Sequence, residues 1–368
     1  MKSVLFINNR MAFMRPDGHF YIAKKPGELV EKMIQEGFHI IFLQSYVRVT
    51  FTQECFAEFK LPKHENIKYI MVERRMPKLV VYLNLYLKAI KALYSVDFLY
   101  LFYPDQLAFL CLGAKLLKIP YGLYIRGSLG VYNKISRYFY THADLCCTVS
   151  PELTNFVNKY NRRKAGKTIS PLIDFSLTDS IIRDFSKPSV FKILYIGRLV
   201  EDKGINELIR AVEKLDKRYT FELHLVGDGP LLSKLSKDKL LIESNVIFHG
   251  HISNTSVLKH FYCDCDILCL PSYHEGFPRV LYEAMIFKLP IVTTFVGTIP
   301  YLMKDNVNCL EILPKSTNSI VEKLSYLMDN YEAIRSLLVE NAYNTVRDYL
   351  LQNNLSHFSI IANYLWNK

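Results

Sequence analysis

Residues 191–215 read FKILYIGRLVEDKGINELIRAVEKL, and this stretch decides the fold. Its first six residues, Phe191–Ile196, form an apolar run of strand length, and a polar loop bounded by Gly197 and Gly204 follows. The next apolar residues recur at helical spacing: Ile205, Leu208, Ile209, Val212 and Leu215. A strand, a glycine-bounded loop and an amphipathic helix over Ile205–Leu215 begin a βαβ unit, so we expect an α/β fold with parallel sheets.

The same alternation continues on both sides of this stretch. Apolar runs predict further strands at Val4–Ile7, Phe38–Leu43, Phe98–Phe102, Tyr121–Ile125, Leu145–Val149, Glu222–Val226, Val246–Phe248, Ile267–Leu270 and Pro290–Thr293. Helical periodicity predicts helices at Pro26–Glu36, Leu107–Leu117 and Pro151–Tyr160. The pattern weakens over residues 175–189, which places a domain boundary there. We therefore expect two Rossmann-like domains facing a cleft, residues 1–174 and 190–354, with a C-terminal helix at about 355–368 that packs back on the first domain.

Length and composition agree with two domains and exclude several classes of protein. The chain has 368 residues, of which 50% are apolar and 22% are charged, which excludes a disordered or collagen-like chain. Its eight cysteines are scattered and include a vicinal pair, which is typical of reduced cytosolic thiols. The first apolar run ends at Asn8, too short for a signal peptide, and no stretch has the uninterrupted apolar length of a membrane span. A cytoplasmic protein is expected.

Charge is distributed unevenly along the chain. Residues 1–174 contain 25 Lys and Arg against 13 Asp and Glu, a net charge of +12, whereas residues 175–368 have a net charge of −1. Clustered cations attract anionic partners such as a phospholipid surface or a phosphorylated acceptor, although an alkaline surface without a partner would look the same. No nucleic-acid-binding motif accompanies the charge, so nucleic acid is not expected.

The residues suited to chemistry lie in the second half. Arg198 and Lys203 occupy the loop after the strand Phe191–Ile196, where α/β sheets bind phosphates. A second motif, PSYHEGFPRVLYEAM at residues 271–285, follows the strand Ile267–Leu270. Pro278 suits the first turn of a helix, so the amides of residues 276–279 would face an anion, with Glu275 before the helix and Glu283 within it. Two carboxylates would then flank a site that binds phosphate.

Together these motifs resemble the nucleotide-sugar domain of the family 4 glycosyltransferases, which have the GT-B fold. The GRL…KG loop, the VGDGP turn at residues 226–230, His249-Gly250 and the PS..EGFP....EAM motif carry the resemblance, which is strong over residues 191–308 and weaker in the first half.

The resemblance implies roles for individual residues. Arg198 and Lys203 would bind the diphosphate of the donor, and Glu283, the second acid of the E-x7-E motif, would bind its ribose. Glu275, the first acid, would lie beside the transferred sugar. The remaining positions would contact sugar and phosphate (Gly276, Phe277 and Pro278), the nucleobase (Ile252) and, from the other domain, the phosphates (Gly18). Arg126 stands where relatives often place a histidine near the reacting sugar, and it is the candidate for the acceptor side.

No metal or other cofactor is expected. An arginine, a lysine and a helix N-terminus can neutralise the leaving diphosphate without a divalent ion. Asp264-Cys265-Asp266 spells the DxD pattern that binds Mn²⁺ or Mg²⁺ in another glycosyltransferase fold, but it directly precedes an apolar strand. Cys263, Cys265 and Cys269 lack the CxxC spacing of a zinc site and are expected to be core thiols.

One segment suggests a membrane surface as a partner. Arg74, Arg75 and Lys78 precede a helical stretch at Leu79–Leu93 that is rich in leucine and tyrosine, and a second basic run lies at residues 162–167. Basic clusters beside apolar residues suit anionic phospholipid, which would give reversible peripheral binding. The alternative is that the aliphatic side chains pack into the core and the cations are only solvated.

The sequence thus predicts a retaining glycosyltransferase of polysaccharide synthesis that moves a sugar from a UDP-sugar to a glycan or lipid-linked acceptor. Two alternatives remain: a GT-B sugar-nucleotide epimerase, which needs no acceptor, and a nucleotide-sugar-binding protein without activity.

Overall fold

The chain forms two compact units in a computed structural model that describes residues 2–49, 59–125, 130–169, 171, 173–183, 186–215, 219–236 and 245–367. The first unit comprises Met1–Ser170 and Asn353–Lys368, and the second comprises Pro171–Gln352. The C-terminal residues therefore belong to the first unit, although 182 residues of the second unit separate them from it in sequence.

The first unit is built on a mostly parallel sheet. Its strands are β1 Ser3–Ile7, β2 Ala12–Met14, β3 Phe20–Ile22, β4 His39–Arg48, β5 Phe59–Lys60, β6 Ile67–Glu73, β7 Phe98–Tyr103, β8 Tyr121–Ile125, β9 Leu145–Thr148 and β10 Gly166–Thr168. From β10 through β9, β8, β7 and β1 to β4 and β6, every neighbouring pair is parallel. The short strand β2 pairs with the carboxyl end of β4, and β3 lies antiparallel to both β2 and β5.

Helices cover both faces of this sheet. They are α1 Lys24–Gln35, α2 Lys78–Leu93, α3 Leu110–Leu116, α4 Lys134–His142, α5 Pro151–Tyr160 and, at the C-terminus, a helix over His357–Trp366. Because side chains alternate along a strand, Leu99 and Leu101 of β7 pack with α2 to α5 on one face. Tyr100 and Phe102 point to the other face, where both rings lie against His357.

The second unit contains six parallel strands in the order of a doubly wound sheet. They are β11 Phe191–Ile196, β12 Phe221–Val226, β13 Val246–Gly250, β14 Ile267–Leu270, β15 Ile291–Thr294 and β16 Leu310–Ile312. Their order across the sheet is β13-β12-β11-β14-β15-β16. The chain therefore winds outward from β11 in one direction and then returns to its other side at β14.

The helices of this unit are α6 Ile205–Lys214, α7 Leu232–Leu235, α8 Thr255–Asp264, α9 Arg279–Ile286, α10 Ile299–Leu302, α11 Thr317–Asp329 and α12 Tyr331–Gln352, and the helix His357–Trp366 is α13. The buried face of α6 is formed by Ile205, Leu208, Ile209, Ala211 and Val212, which pack on the sheet.

Most predicted elements lie within three residues of their predicted bounds, but β4, predicted to end at Leu43, extends to Arg48. Helix α3 begins at Leu110 instead of Leu107. The Asp105 side chain accepts a hydrogen bond from the Leu107 amide at 2.7 Å, and this contact stabilises a turn before the helix. No helix in the described ranges combines the length and apolarity that a membrane span requires.

Candidate functional site

The candidate site begins at the point in the second sheet where the winding direction changes. Strand β11 has β12 on one side and β14 on the other, both parallel to it. The loops that leave the carboxyl ends of β11 and β14 therefore start side by side at the switch point, where doubly wound α/β sheets have their ligand crevice. The two motifs that sequence analysis selected, residues 197–204 and 271–278, are these two loops.

The loop after β11 presents Arg198 to solvent and is fixed by its neighbours. The Tyr195 hydroxyl donates a hydrogen bond to the Arg198 carbonyl at 2.9 Å, while the Leu199 side chain is buried. The Leu199 amide also donates to the Asp228 carbonyl at 2.9 Å. The VGDGP turn thus positions the Arg198 loop, and a short 3₁₀ turn at Glu201–Lys203 then leads into α6.

The loop after β14 meets this first loop through Glu275. The Lys203 Nζ atom lies 2.5 Å from Glu275 Oε1, and the side chains are 19% and 12% exposed. The buried Ser272 hydroxyl donates to the same carboxylate oxygen at 2.8 Å. The Tyr273 amide donates to the Asp202 carbonyl at 2.8 Å, which joins the two backbones. A cation, a hydroxyl and a carboxylate are therefore held in one place by two loops.

The backbone around Glu275 requires a glycine on a third loop. Gly297 has φ +59°, and a Cβ atom at this position would collide with the Glu275 carbonyl oxygen. Gly276 is different, because a Cβ atom there would meet no atom of any described residue other than its chain neighbours within 4 Å. The Gly276 backbone therefore borders open space, as a position that contacts a ligand requires.

The helix after Glu275 starts one residue later than predicted. Pro278 (φ −72°, ψ 138°) is the N-cap of α9 and not part of its first turn, and no side chain of the described residues caps the helix. The Phe277 ring packs on the Tyr282 ring at 4.4 Å between centroids. Gly276, Phe277 and Pro278 thus form the approach to a helix N-terminus, where amides and the helix dipole favour an anion.

Glu283 lies inside α9 and is 6% exposed. The Tyr262 hydroxyl donates to its Oε2 atom at 2.6 Å. Burial raises the pKa of the Glu283 carboxyl above its ordinary value, although the hydrogen bond from Tyr262 partly opposes this rise. Burying a carboxyl costs free energy, which is unusual at a position that serves only the fold. The ribose-binding role of Glu283 remains a prediction.

Three further residues were predicted for the site: Ile252, Gly18 and Arg126. Ile252 follows β13 at the same edge of the sheet and packs partly against the core of the second unit. Gly18 belongs to the first unit, where it has φ +73° in the turn between β2 and β3. Arg126 lies outside the described residues.

Sequence analysis missed a second set of polar residues, at the corresponding point of the first sheet. Asn8 follows β1 and is 1% exposed, and its side-chain oxygen and nitrogen have no hydrogen-bond partner among the described residues. The neighbouring strand β7 ends before Asp105, and burial raises the pKa of this carboxyl to about 6. The polar pair Asn8-Asn9 directly after an apolar run was the available signal, because such positions border the ligand crevice of α/β sheets.

Carboxylates and thiols near the DxD segment do not form a metal site in the described part of the chain. Asp264 lies at the end of α8 and pairs with His260 at 3.0 Å, whereas Asp266 accepts a hydrogen bond from the Lys192 amide at 2.9 Å. Cys265 and Cys269 are buried free thiols. Among the described residues, no group of three His, Cys, Asp or Glu side chains could hold a metal ion.

Comparison with known proteins gives a family match over the second unit. Residues 180–345 match the family described as Glycosyl transferases group 1. An uncharacterized glycosyltransferase of Methanocaldococcus jannaschii, MJ1607, is 31% identical over 45% of this chain and 42% of its own length. Another protein of that organism, the uncharacterized glycosyltransferase MJ1178, is 25% identical over 85% of this chain and 86% of its own length.

A third relative has a named activity. The Campylobacter jejuni protein GalNAc-alpha-(1->4)-GalNAc-alpha-(1->3)-diNAcBac-PP-undecaprenol alpha-1,4-N-acetyl-D-galactosaminyltransferase is 30% identical over 47% of this chain and 48% of its own length. The chain thus spans less than half the length of two of these three relatives.

Solved structures resemble the whole chain. HepE of Anabaena, solved in complex with UDP, has a TM-score of 0.66 at 17% identity, with all of both chains covered. Sucrose-phosphate synthase of Thermosynechococcus elongatus has a TM-score of 0.67 at 16% identity, covering 100% of this chain and 98% of that chain. These likenesses show the fold, and the predicted GT-B class is confirmed.

Proposed function

We infer that this chain of GT-B fold, whose residues 180–345 belong to the group 1 glycosyltransferases, is a retaining glycosyltransferase that moves a sugar from a UDP-sugar to a glycan or lipid-linked acceptor. Retention of anomeric configuration comes from the family resemblance. The observation that carries the proposal is the contact of Lys203 with Glu275 at the crevice between the loops after β11 and β14.

The charges at this crevice suit the departure of a nucleoside diphosphate. When the sugar–phosphate bond breaks, negative charge grows on the diphosphate and must be stabilised where it develops. Arg198 and Lys203 supply two cations, and the N-terminus of α9 supplies backbone amides and the positive end of a helix dipole. We assign the diphosphate to these groups and keep Gly276, Phe277 and Pro278 as its backbone contacts.

Lys203 would bind the diphosphate of the donor and keep its contact with Glu275. An ammonium group has three donors, so Nζ can hold Glu275 Oε1 and a phosphate oxygen at the same time. The second carboxylate oxygen of Glu275 would then accept a hydrogen bond from a hydroxyl of the transferred sugar. The Ser272 hydroxyl would hold the Glu275 carboxylate in place while the donor binds.

The remaining donor contacts follow the same sheet edge. Glu283 would accept hydrogen bonds from the ribose hydroxyls, with Tyr262 holding its carboxylate. Ile252, after β13, would contact the base. UDP as the nucleotide is supported by HepE, which was solved with UDP and with UDP-glucose.

The acceptor is assigned to the first unit. The name of the Campylobacter jejuni relative describes an undecaprenol-linked acceptor, which supports a lipid-linked glycan and a role in cell-envelope polysaccharide synthesis. The buried Asn8 and the half-buried Asp105 offer polar groups at the switch point of this unit, and Gly18 and Arg126 remain candidates on the same unit. We place the protein on the cytoplasmic side of the membrane, in peripheral contact with it.

Product analysis separates this proposal from its alternatives. The purified protein is incubated with a panel of UDP-sugars, with and without undecaprenol-linked glycans, and the sugar nucleotides and lipids are resolved by mass spectrometry. Release of UDP together with a lipid one sugar heavier, only when acceptor is present, is the expected result. Conversion of the sugar nucleotide without acceptor would indicate the epimerase, and UDP binding with neither product would indicate a binding protein without activity.

A further inference from the structure

Helix α2 has two apolar stripes on opposite sides. Val81, Leu85, Ala89 and Ala92 are buried against the sheet of the first unit. Leu79, Leu83, Leu87 and Ile90 precede or follow these residues by two positions, which is about 200° around a helix. This second stripe points away from the sheet, and its side chains are 81%, 59%, 63% and 44% exposed. The alternative, that these aliphatic side chains pack into the core, does not hold for the four residues of this stripe.

An apolar stripe on the solvent side of a helix is unusual in a globular protein. A surface helix normally has one apolar face and one polar face, and a helix that is apolar all around is buried or in contact with lipid. The exposed stripe of α2 has lysine on one flank, at Lys88 and Lys91, and tyrosine on the other, at Tyr82 and Tyr86. Lysine and tyrosine are the side chains that suit the boundary between water and a bilayer.

The neighbouring helices continue the same face. The buried side chains of α2, α3 and α4 belong to one core on one side of the sheet, so the outer sides of these helices share a direction. On that outer side, Phe109 and Leu116 around α3 are 54% and 84% exposed, and Ile135 of α4 is 58% exposed. Lys115 Nζ lies 5.4 Å from the centre of the Tyr138 ring, which joins α3 to α4. We call the outer sides of α2, α3 and α4 the three-helix face.

The charge of this segment is mostly positive. Residues 74–143 contain ten Lys and Arg and two Asp, a net charge of +8. Anionic phospholipid complements such a face, and each cation near the surface contributes about 1 kcal/mol.

A basic hollow lies at one end of the face, where α3 and α4 finish. It has a volume of about 360 Å³ and its charged lining residues are Lys115, Lys118, Arg162, Arg163 and the acid Asp144, which pairs with Arg163. A lipid phosphate would find several cations there. Arg162 and Arg163, from the basic run that the sequence singled out at residues 162–167, thus line this hollow.

We propose that the three-helix face docks on an anionic phospholipid bilayer, with the stripe Leu79, Leu83, Leu87 and Ile90 in the headgroup layer and the flanking lysines on lipid phosphates. This docking proposal rests on the proposed function and extends it, because a lipid-linked acceptor is held in the bilayer. Docking is reversible, since one amphipathic face inserts far less apolar area than a spanning helix.

The test is co-sedimentation of the full chain with phosphatidylcholine vesicles that contain or lack phosphatidylglycerol. Wild type is expected to pellet with the anionic vesicles at low salt and to be released at about 1 M NaCl, where the Debye length is about 3 Å. Leu83→Gln with Leu87→Gln should weaken partitioning by about tenfold or more, which is about 1.4 kcal/mol. The matched control is Leu337→Gln with Leu313→Gln in the second unit, at 59% and 62% exposure, which should bind as wild type does.

Charge is tested separately with Lys88→Gln and Lys91→Gln against Lys214→Gln and Lys234→Gln, two exposed lysines of the second unit. Only the first pair should reduce binding and its salt dependence.

No pelleting of wild type at low salt, or equal loss in the matched controls, overturns the docking proposal. UDP binding, followed by thermal shift on the same samples, shows that each variant is folded and tells failure of docking from failure of the proposed function. Self-association without vesicle binding, seen by analytical ultracentrifugation and abolished by the Leu83 and Leu87 variant, would assign the face to a second copy and overturn the proposal.

Discussion

Lys203 and Glu275 are separated by 72 positions in the sequence, and their side chains meet at 2.5 Å between Nζ and Oε1. This contact places a cation suited to phosphate beside a carboxylate suited to a sugar hydroxyl. We expect Glu275→Ala to abolish sugar transfer while UDP binding stays equal to wild type or becomes tighter, because Lys203 loses a competing anion. Calorimetry with UDP and a UDP-release assay measure the two effects on one preparation. Wild-type turnover by the variant would remove Glu275 from the mechanism.

Ser272 positions Glu275, and its removal should affect turnover more than binding. Its hydroxyl is fully buried and donates to Glu275 Oε1 at 2.8 Å. Ser272→Ala removes a hydrogen bond to a charged group, worth about 1.5–3 kcal/mol, so kcat should fall about ten- to a hundredfold. The Kd for UDP, which does not include the sugar, should change little. An unchanged kcat would show that Glu275 needs no support from Ser272.

Replacing Glu283 should raise the stability of the fold and weaken the binding of UDP. Burial raises the pKa of its carboxyl, so between the unfolded and folded pKa values the folded chain holds a proton that the unfolded chain has released. The free energy of unfolding therefore falls as pH rises through that interval, and the buried carboxylate costs stability at neutral pH. Glu283→Gln should have a higher Tm than wild type at about pH 8 and a similar Tm near pH 4.

The same variant should bind UDP about tenfold more weakly, because an amide accepts hydrogen bonds from ribose less strongly than a carboxylate does. The exposed Glu322, replaced by Gln, is the control and should change neither Tm nor UDP binding. A Glu283→Gln protein that gains stability and keeps full affinity would exclude the ribose-binding role.

Transfer should survive removal of divalent ions. If Arg198, Lys203 and the N-terminus of α9 neutralise the leaving diphosphate, excess EDTA should leave the rate within about twofold of its original value. Asp264→Asn should be without effect, since Asp264 pairs with His260 on the surface of α8. Activity lost in EDTA, restored by Mn²⁺ and absent in Asp264→Asn would instead support the DxD interpretation.

The sequence predicted the parts of the fold in which burial leaves a pattern. Strands β11 and β14 are continuous apolar runs because both faces of a parallel sheet are covered, and their predicted bounds are those of the structure. Strands β2, β3, β5, β10 and β16 were missed, since two or three residues are too few to show a period. Strand β6 has seven residues and was missed because only Ile67 and Val72 are buried in it. The start of α3 was misplaced because the Asp105 turn carries apolar residues like those of the helix.

The candidate site could be predicted residue by residue, but its contacts could not. Sequence motifs place Lys203 and Glu275 each after a strand, and only the order of the strands brings β11 next to β14. The exposed stripe of α2 could not be predicted for a similar reason. Leu83 and Leu85 are the same residue type in the same apolar stretch, but Leu83 is 59% exposed and Leu85 is fully buried. Packing decides which side of a helix meets the sheet. A helix with apolar residues on both sides does not show in its own sequence which side that is.

The central claim is that the crevice between the loops after β11 and β14 binds the diphosphate of a UDP-sugar, and titration calorimetry of UDP in EDTA tests it most directly. Arg198→Ala and Lys203→Ala should each weaken binding by about 1.5–3 kcal/mol, about ten- to a hundredfold, because each removes a charge-assisted hydrogen bond. Lys214→Ala and Lys234→Ala, exposed lysines elsewhere on the second unit, should bind as wild type does. Equal affinity of wild type, Arg198→Ala and Lys203→Ala for UDP would contradict the account.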